Sequence, residues 1–196
     1  MDINVLSDAN NEPLTLTEVK THLKIDLSNE DIFLNNLIKS ARQSVETLCN
    51  ISLTKKVIEV YLDNFGKEVR LPNPPLVSLD KFYYYDGEYS ENEVPNTVYK
   101  LIQFYNLTES RLIIKSGSTL PAYTGNGYGL KLKLTVGFPT DADLEVEGFV
   151  QYFYIPEELR LEMLNLIAYW YENRQSEGTI PEQISDKIYK YRLIPL

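Results

Sequence analysis

The segment 155–174 has an unusually wide apolar face for a single helix. At 100° per residue its apolar side chains cover an arc of roughly 200°, whereas a surface helix needs a stripe of about 100°. A polar strip that includes Glu162, Asn165 and Tyr169 fills the remainder. The pattern predicts a helix that packs on two sides. One side would contact its own domain, and the other would contact either the same domain or a different subunit.

Two helical patterns precede it near the N-terminus. Thr15 and Glu18 have the spacing of a capping box, which predicts a short helix through about Leu23. A second helix is predicted to open at Ser28, with acidic residues in its first turn, and to run to about Cys49. The apolar residues of this second helix share one face. It therefore needs an apolar partner, which the C-terminal helix can supply.

From about Thr54 the apolar positions follow a period of two, which is typical of half-buried strands. About six such runs are separated by Pro, Gly and Asn, and Asp86-Gly87 and Gly125-Asn126-Gly127 have hairpin-turn chemistry. The fold class predicted is α+β, with a helical domain from N- and C-terminal helices and an inserted antiparallel β-domain. The predicted boundaries are 1–54 for the N-terminal helical part, 55–150 for the β-domain, and 151–196 for the long helix, short helix and tail.

The C-terminal end combines a polar break at 175–181 with an apolar tail after a last short helix that Pro181 can start. An apolar tail in this position indicates either a peptide that docks on a partner or a terminus folded back on its own domain. In the first case the docking residues are Tyr191, Arg192, Leu193, Ile194 and Leu196.

Composition narrows the function classes. A net charge of −9 disfavours a surface that wraps nucleic-acid phosphates, and suits one that DNA must pass without sticking. The single cysteine, Cys49, leaves no internal disulfide, and its expected role is that of a small buried apolar residue. Because neither a leader pattern nor a bilayer-spanning apolar run is visible, we expect an aqueous, reducing compartment and no membrane.

No set of residues points to catalysis. The one histidine, His22, lies mid-helix without a nucleophile signature, and the Gly-rich stretch 125–129 lacks the Lys-Ser/Thr of a phosphate loop. The acids of 141–147 lack EF-hand spacing, which favours a solvated linker over a calcium site. We therefore predict no enzyme, no catalytic residues, no cofactor and no metal. A carbohydrate platform at Tyr83–Tyr85 is an alternative, although Tyr84 would face away from the other two.

Several segments also occur in a characteristic order: 14–25, 37–42, 45–46, 71–79, 84–86, 136–138, 156–159, 168–174 and 191–192. Together they resemble the head-tail connector (adaptor) proteins of long-tailed bacteriophages, over nearly the whole chain. The stretch 141–154 departs from that family, because it is longer and more acidic and aromatic than the short Gly-rich connection expected there.

The resemblance implies a structural subunit without catalytic residues, in the neck of a virion assembled in the host cytoplasm. Its expected partners are further copies of itself in a ring, a dodecamer matching the portal; the portal protein; and the next neck, stopper or tail protein. The ring would extend the DNA channel through which genomic DNA passes, without specific binding, at ejection. Trp170, Tyr171 and Arg174 would lie in the subunit interface, and the tail would dock on the portal. A β-rich carbohydrate-binding virion module is the alternative.

Overall fold

The computed structural model describes residues 1–7, 11–103, 109–124, 127–138, 154–174 and 178–193. Its elements in chain order are β1 (Asp2–Ser7), α1 (Leu16–Leu23), α2 (Asp31–Cys49), β2 (Lys56–Leu62), β3 (Glu68–Arg70), β4 (Leu76–Tyr85), β5 (Glu91–Glu93), β6 (Tyr99–Ile102), β7 (Arg111–Ile114), β8 (Leu130–Val136), α3 (Glu157–Glu172) and α4 (Glu182–Tyr189). All strand pairings among them are antiparallel. The α+β class is confirmed.

The chain divides into two compact units. The β unit comprises Met1–Ala9 and Lys55–Phe153, and the helical unit comprises Asn10–Thr54 and Tyr154–Leu196. The predicted boundary places residues 1–9 in the helical part, and the structure corrects this, because β1 pairs with β2 and belongs to the β unit. The predicted acidic linker 141–147 and the Gly125-Asn126 part of the predicted turn lie outside the described residues.

The first two helices have well-defined ends. Thr15 and Glu18 form the predicted capping box, in which Thr15 N donates to Glu18 Oε2 at 2.7 Å and Glu18 N donates to Thr15 Oγ1 at 3.2 Å. Helix α2 begins at Asp31, later than the predicted Ser28, because the Ser28 carbonyl accepts from Asp31 N in the turn before the helix. Asn50 ends α2 in the left-handed conformation, at φ 56°.

A buried ionic network holds the start of the helical unit to α2. Arg42 Nε lies 2.8 Å from Glu12 Oε2, and Arg42 Nη1 lies 3.1 Å from Glu46 Oε2. The other Glu46 oxygen accepts from the backbone N of Leu53 at 2.8 Å. Since removing one partner would leave the other charge buried and unpaired, this network fixes the segments on both sides of α2.

The β unit contains two sheets. A five-stranded sheet has the order β1-β2-β8-β4-β5, and a three-stranded sheet has the order β3-β7-β6. A core of buried side chains from both sheets includes Ile58, Val60, Phe82, Leu112, Leu132 and Leu134. The six predicted runs correspond to β2, β3, β4, β6, β7 and β8. Strands β1 and β5 were not predicted. Strand β5, Glu-Asn-Glu, has three residues and no apolar alternation, whereas the six-residue β1 does alternate at Ile3 and Val5.

Candidate assembly surfaces

Helix α3 is the centre of the helical unit and packs against α1, α2 and α4. Its buried apolar residues are Leu159, Met163, Leu166, Ile167 and Trp170. A second row at helical spacing, Leu164, Ala168 and Tyr171, is only half-buried, and Leu161 at the head of that row is 50% exposed. The unit therefore covers one side of α3 completely and leaves the second side incompletely covered.

Trp170 lies on the covered side. Its side chain has no exposed surface, and its indole Nε1 donates to the carbonyl oxygen of Thr179 at 2.8 Å. Because the chain after α3 folds back over the indole, this residue holds the approach to α4 in place. The expected interface role of Trp170 is therefore corrected: the side chain belongs to the interior of its own unit and is not available to another subunit.

Tyr171 and Arg174 occupy a different environment, at the surface. Both bind Glu30, with 2.5 Å from the Tyr171 hydroxyl to Oε2 and 2.6 Å from Arg174 Nη2 to Oε1. The Arg174 guanidinium also lies 4.9 Å from the centroid of the Phe33 ring. The hydrogen bond from Tyr171, followed by that from Arg174, lowers the pKa of Glu30, so this carboxylate stays charged at neutral pH.

This group, the Glu30 cluster, has the composition of an interface anchor. Tyrosine and arginine are the residue types that contribute most to binding when buried by a partner. Next to it in sequence lies Ile32, which is 81% exposed, with Leu27 also strongly exposed. Neither residue was predicted as part of an interface. For Ile32 the sequence carries a signal, because on a helix it lies about 200° around the axis from the buried Leu34.

The start of the tail is bound to its own unit. Leu193 N donates to the carbonyl of Cys49 at 2.9 Å, and Asn50 Nδ2 donates to the carbonyl of Leu193 at 2.8 Å. The hydroxyl of Tyr191 donates to Glu158 Oε2 at 3.1 Å, and Arg192 lies over the ring of Tyr189. The expectation that the tail docks on a partner instead of its own domain is thus corrected for Tyr191, Arg192 and Leu193. Ile194 and Leu196 lie outside the described residues.

The physical reason is the end of α2. The last carbonyls of a helix have no partner within it, and Asn50 turns the backbone away after Cys49. The tail supplies the missing donor there. The thiol of Cys49 is buried at the same place, 3.6 Å from the Ile188 carbonyl oxygen, and burial raises its pKa to about 11, partly offset by Arg192.

The tyrosines of β4 alternate between the two faces of the sheet, as predicted. Tyr84 packs against the core, while Tyr83 and Tyr85 face the Lys131 ammonium, which lies 4.8 and 5.9 Å from their ring centroids. Lys131 is also ion-paired with Glu91. The Lys131 ammonium therefore already covers the Tyr83 ring, and a flat platform for stacking a sugar is not formed there.

Chemical sites are not evident in the described ranges. A shallow groove of about 470 Å³ beside α2 is lined by Ser40, Gln43, Ser44, Thr47, Leu48, Gly178 and Ile180, none of which titrates. Among described residues, no group of three or more His, Cys, Asp or Glu side chains is placed to hold a metal ion. Within this same part of the chain, the helices lack the combined length and apolar character needed to cross a membrane.

Part of this chain is similar in sequence to a known protein family. The family described as "Phage gp6-like head-tail connector protein" matches residues 13–105, which include α1, α2 and the first strands after them. The resemblance to head-tail connector proteins is confirmed. No curated protein sequence matches this chain.

Solved structures share the fold of this protein along the whole chain. Chains from "Neck of empty GTA particle computed with C6 symmetry" and "Virion of native gene transfer agent (GTA) particle" align with TM-scores of 0.76, at 19% and 20% identity. A chain from "Neck of native GTA particle computed with C12 symmetry" aligns with a TM-score of 0.70 at 19% identity. Each alignment covers 100% of this chain and 97% of the other. At such identities the similarity establishes the fold.

Proposed function

We propose that this protein is a structural subunit of a head-tail neck, which forms a ring beneath the portal and joins the capsid to the next neck or tail protein. The observation that carries the proposal is the whole-chain similarity to chains from gene transfer agent necks, one of them computed with twelve-fold symmetry. The match to the connector family supports the same role. No catalytic or cofactor function is part of the proposal.

The proposed subunit contact uses the Glu30 cluster together with Ile32. A ring requires a heterologous contact, in which one patch of each copy meets a different patch of the next. The cluster offers a rigid, prearranged patch, because Glu30 holds Tyr171 and Arg174 in place before any partner arrives. Ile32 adds apolar surface that is exposed in the isolated chain. Trp170 supports the contact only indirectly, from the interior of the unit.

The proposed portal contact uses the end of the tail. Leu193 is fixed at the end of α2, and the proposed docking residues Ile194 and Leu196 follow it in the sequence. Burial of two such side chains against the portal contributes a few kcal/mol at ~25 cal/mol per Å², less the cost of ordering the tail. Anchoring by Leu193 reduces that ordering cost.

The test is assembly with purified portal, followed by native mass spectrometry and negative-stain imaging. The expected result is a ring whose copy number matches the portal, twelve in the proposed case. As matched variants, Ile32→Lys should prevent rings while leaving the monomer folded, and Lys39→Ala, at another exposed position of α2, should assemble normally. A protein that stays monomeric with portal at ~10 μM, in the affinity range of a weak complex, would contradict the proposal.

A further inference from the structure

Strand β1 forms one edge of the five-stranded sheet. It pairs antiparallel with β2 along its inner side, and among the described residues no strand pairs with its outer side. All six of its residues are exposed. Such an edge presents a row of unpaired backbone N–H and C=O groups, which is the template that an added strand requires.

The opposite edge of the same sheet is protected against added strands. There β5 carries Glu91 and Glu93, which are ion-paired with Lys131 and Lys81 respectively. Charged side chains on an edge strand disfavour pairing with another chain. In β1, by contrast, Ile3, Val5 and Leu6 are 42%, 50% and 47% exposed. The two edges therefore differ in chemistry, and in the described part of the chain the apolar edge at β1 is exposed and has no strand paired on its outer side.

The two faces of β1 have different character. Ile3 lies opposite Val60 and Val5 lies opposite Ile58, so both extend the buried core row of β2 to the edge of the sheet. On the other face Asp2 lies opposite Tyr61 and Asn4 lies opposite Glu59. Asp2 has no ionic partner among the described residues.

We propose that β1 is a strand-addition site for an extended segment of another protein, in which apolar residues alternate with basic ones. The apolar side chains of the added strand cover Ile3 and Val5, and its basic side chains lie beside Asp2, whereas Glu59 on β2 is already ion-paired with Lys131. The net charge of −9 on this chain favours a basic partner further. Self-pairing of two β1 strands supplies no cation to Asp2, so a different polypeptide fits the site better than a second copy. This surface is additional to the proposed subunit and portal contacts.

The experiment uses a defined probe, an acetylated and amidated eight-residue peptide that alternates valine with lysine. We expect it to bind the full chain and to slow hydrogen exchange at backbone amides of β1. A valine–glutamate peptide of the same length should bind at least tenfold more weakly. Val5→Lys should weaken binding of the lysine peptide at least tenfold, while Leu161→Lys, at an equally exposed apolar residue of the helical unit, should leave it unchanged.

A charge-reversal variant keeps the test decisive even if Val5→Lys is poorly folded. Asp2→Lys should shift the preference from the lysine peptide towards the glutamate peptide. The proposal is overturned by absence of binding, by protection outside β1, or by equal binding to all variants. It is also overturned if Val5→Lys abolishes self-association measured by sedimentation, which would place a second copy at β1, or if photocrosslinking from position 5 reaches a segment of the same chain.

Discussion

At the residue scale, Trp170 and Tyr171 are neighbours in sequence with opposite environments. The indole is fully buried and donates to Thr179 within its own unit, whereas the phenol lies in the Glu30 cluster at the surface. Adjacent helical positions differ by 100°, and this rotation separates an interior side chain from one available to a partner. Both are large aromatic residues of an amphipathic helix, so residue type alone gives them the same expected role.

Substitution separates these roles. Trp170→Ala should destabilise the monomer by about 3–5 kcal/mol, the range for deleting a buried aromatic side chain. Tyr171→Ala should change unfolding much less, yet weaken ring assembly by about 2 kcal/mol or more if the Glu30 cluster is central to the interface. Denaturant unfolding and sedimentation of assembled rings measure the two effects. Tyr171→Phe is the control that removes only the hydroxyl bond to Glu30. Equal loss of monomer stability in both alanine variants, with normal assembly by Tyr171→Ala, would contradict this assignment.

At the scale of the element, the tail combines an anchored start with an apolar end. Its start closes the C-terminal end of α2 through the Leu193–Cys49 hydrogen bond, which makes residues 191–193 part of the helical unit. The expected free docking peptide over the whole segment 191–196 is therefore not formed by its first three residues. The portal contact is therefore proposed for Ile194 and Leu196 alone.

Two truncations test this division. A chain ending at Leu193 should stay folded and keep Cys49 unreactive towards thiol reagents at pH 8, because burial holds the pKa of the thiol at about 11. It should nevertheless bind portal at least tenfold more weakly. A chain ending at Lys190 should also stay folded, but its Cys49 should react faster, since the covering residues 191–193 are gone. If the chain ending at Leu193 binds portal as tightly as the full-length chain does, the docking element lies elsewhere.

The raised pKa of Cys49 also sets a direction for pH dependence. A thiol whose pKa is raised on folding contributes stability that is complete below its unfolded pKa of about 8.5. That contribution is lost as the pH rises towards about 11. The reactivity comparison is therefore made at pH 8, where the full-length chain still has the stability that the protonated Cys49 thiol contributes.

At the scale of the whole molecule, charge bears on the passage of DNA. The chain carries a net charge of −9, and a channel wall with many exposed cations would hold DNA by releasing counterions at each contact. We expect no binding tighter than about 10⁻⁴ M to duplex DNA at ~0.15 M salt, where surface charges are screened beyond about 8 Å. Fluorescence anisotropy with a labelled duplex measures this, and a repeat at low salt exposes any weak electrostatic attraction. Tight binding at ~0.15 M salt would contradict the proposed channel role.

Local patterns in the sequence determined much of the fold. The capping box at Thr15, the wide apolar arc of α3 and six runs of period two each depend on residues close together along the chain. Caps, turns and periodicity act within a few residues, which is why the α+β class and most elements were predictable. The apolar arc also predicted that α3 packs on two sides, and it left open whether the second side contacts the same domain or a different subunit.

Tertiary structure alone decided the rest, because those features depend on pairing between distant residues. Strand β5 consists of Glu-Asn-Glu and exists through pairing with β4, and β1 joins the β unit through pairing with β2. Leu193 binds Cys49 across 144 positions of sequence, a contact that no local pattern encodes. Trp170 and Tyr171 also depend on distant residues. Both have the pattern of apolar helix residues, and only the segments that surround α3 determine that Trp170 is the buried one. Burial and strand pairing are properties of the assembled unit, and therefore the accessible surfaces of this protein follow from its three-dimensional packing.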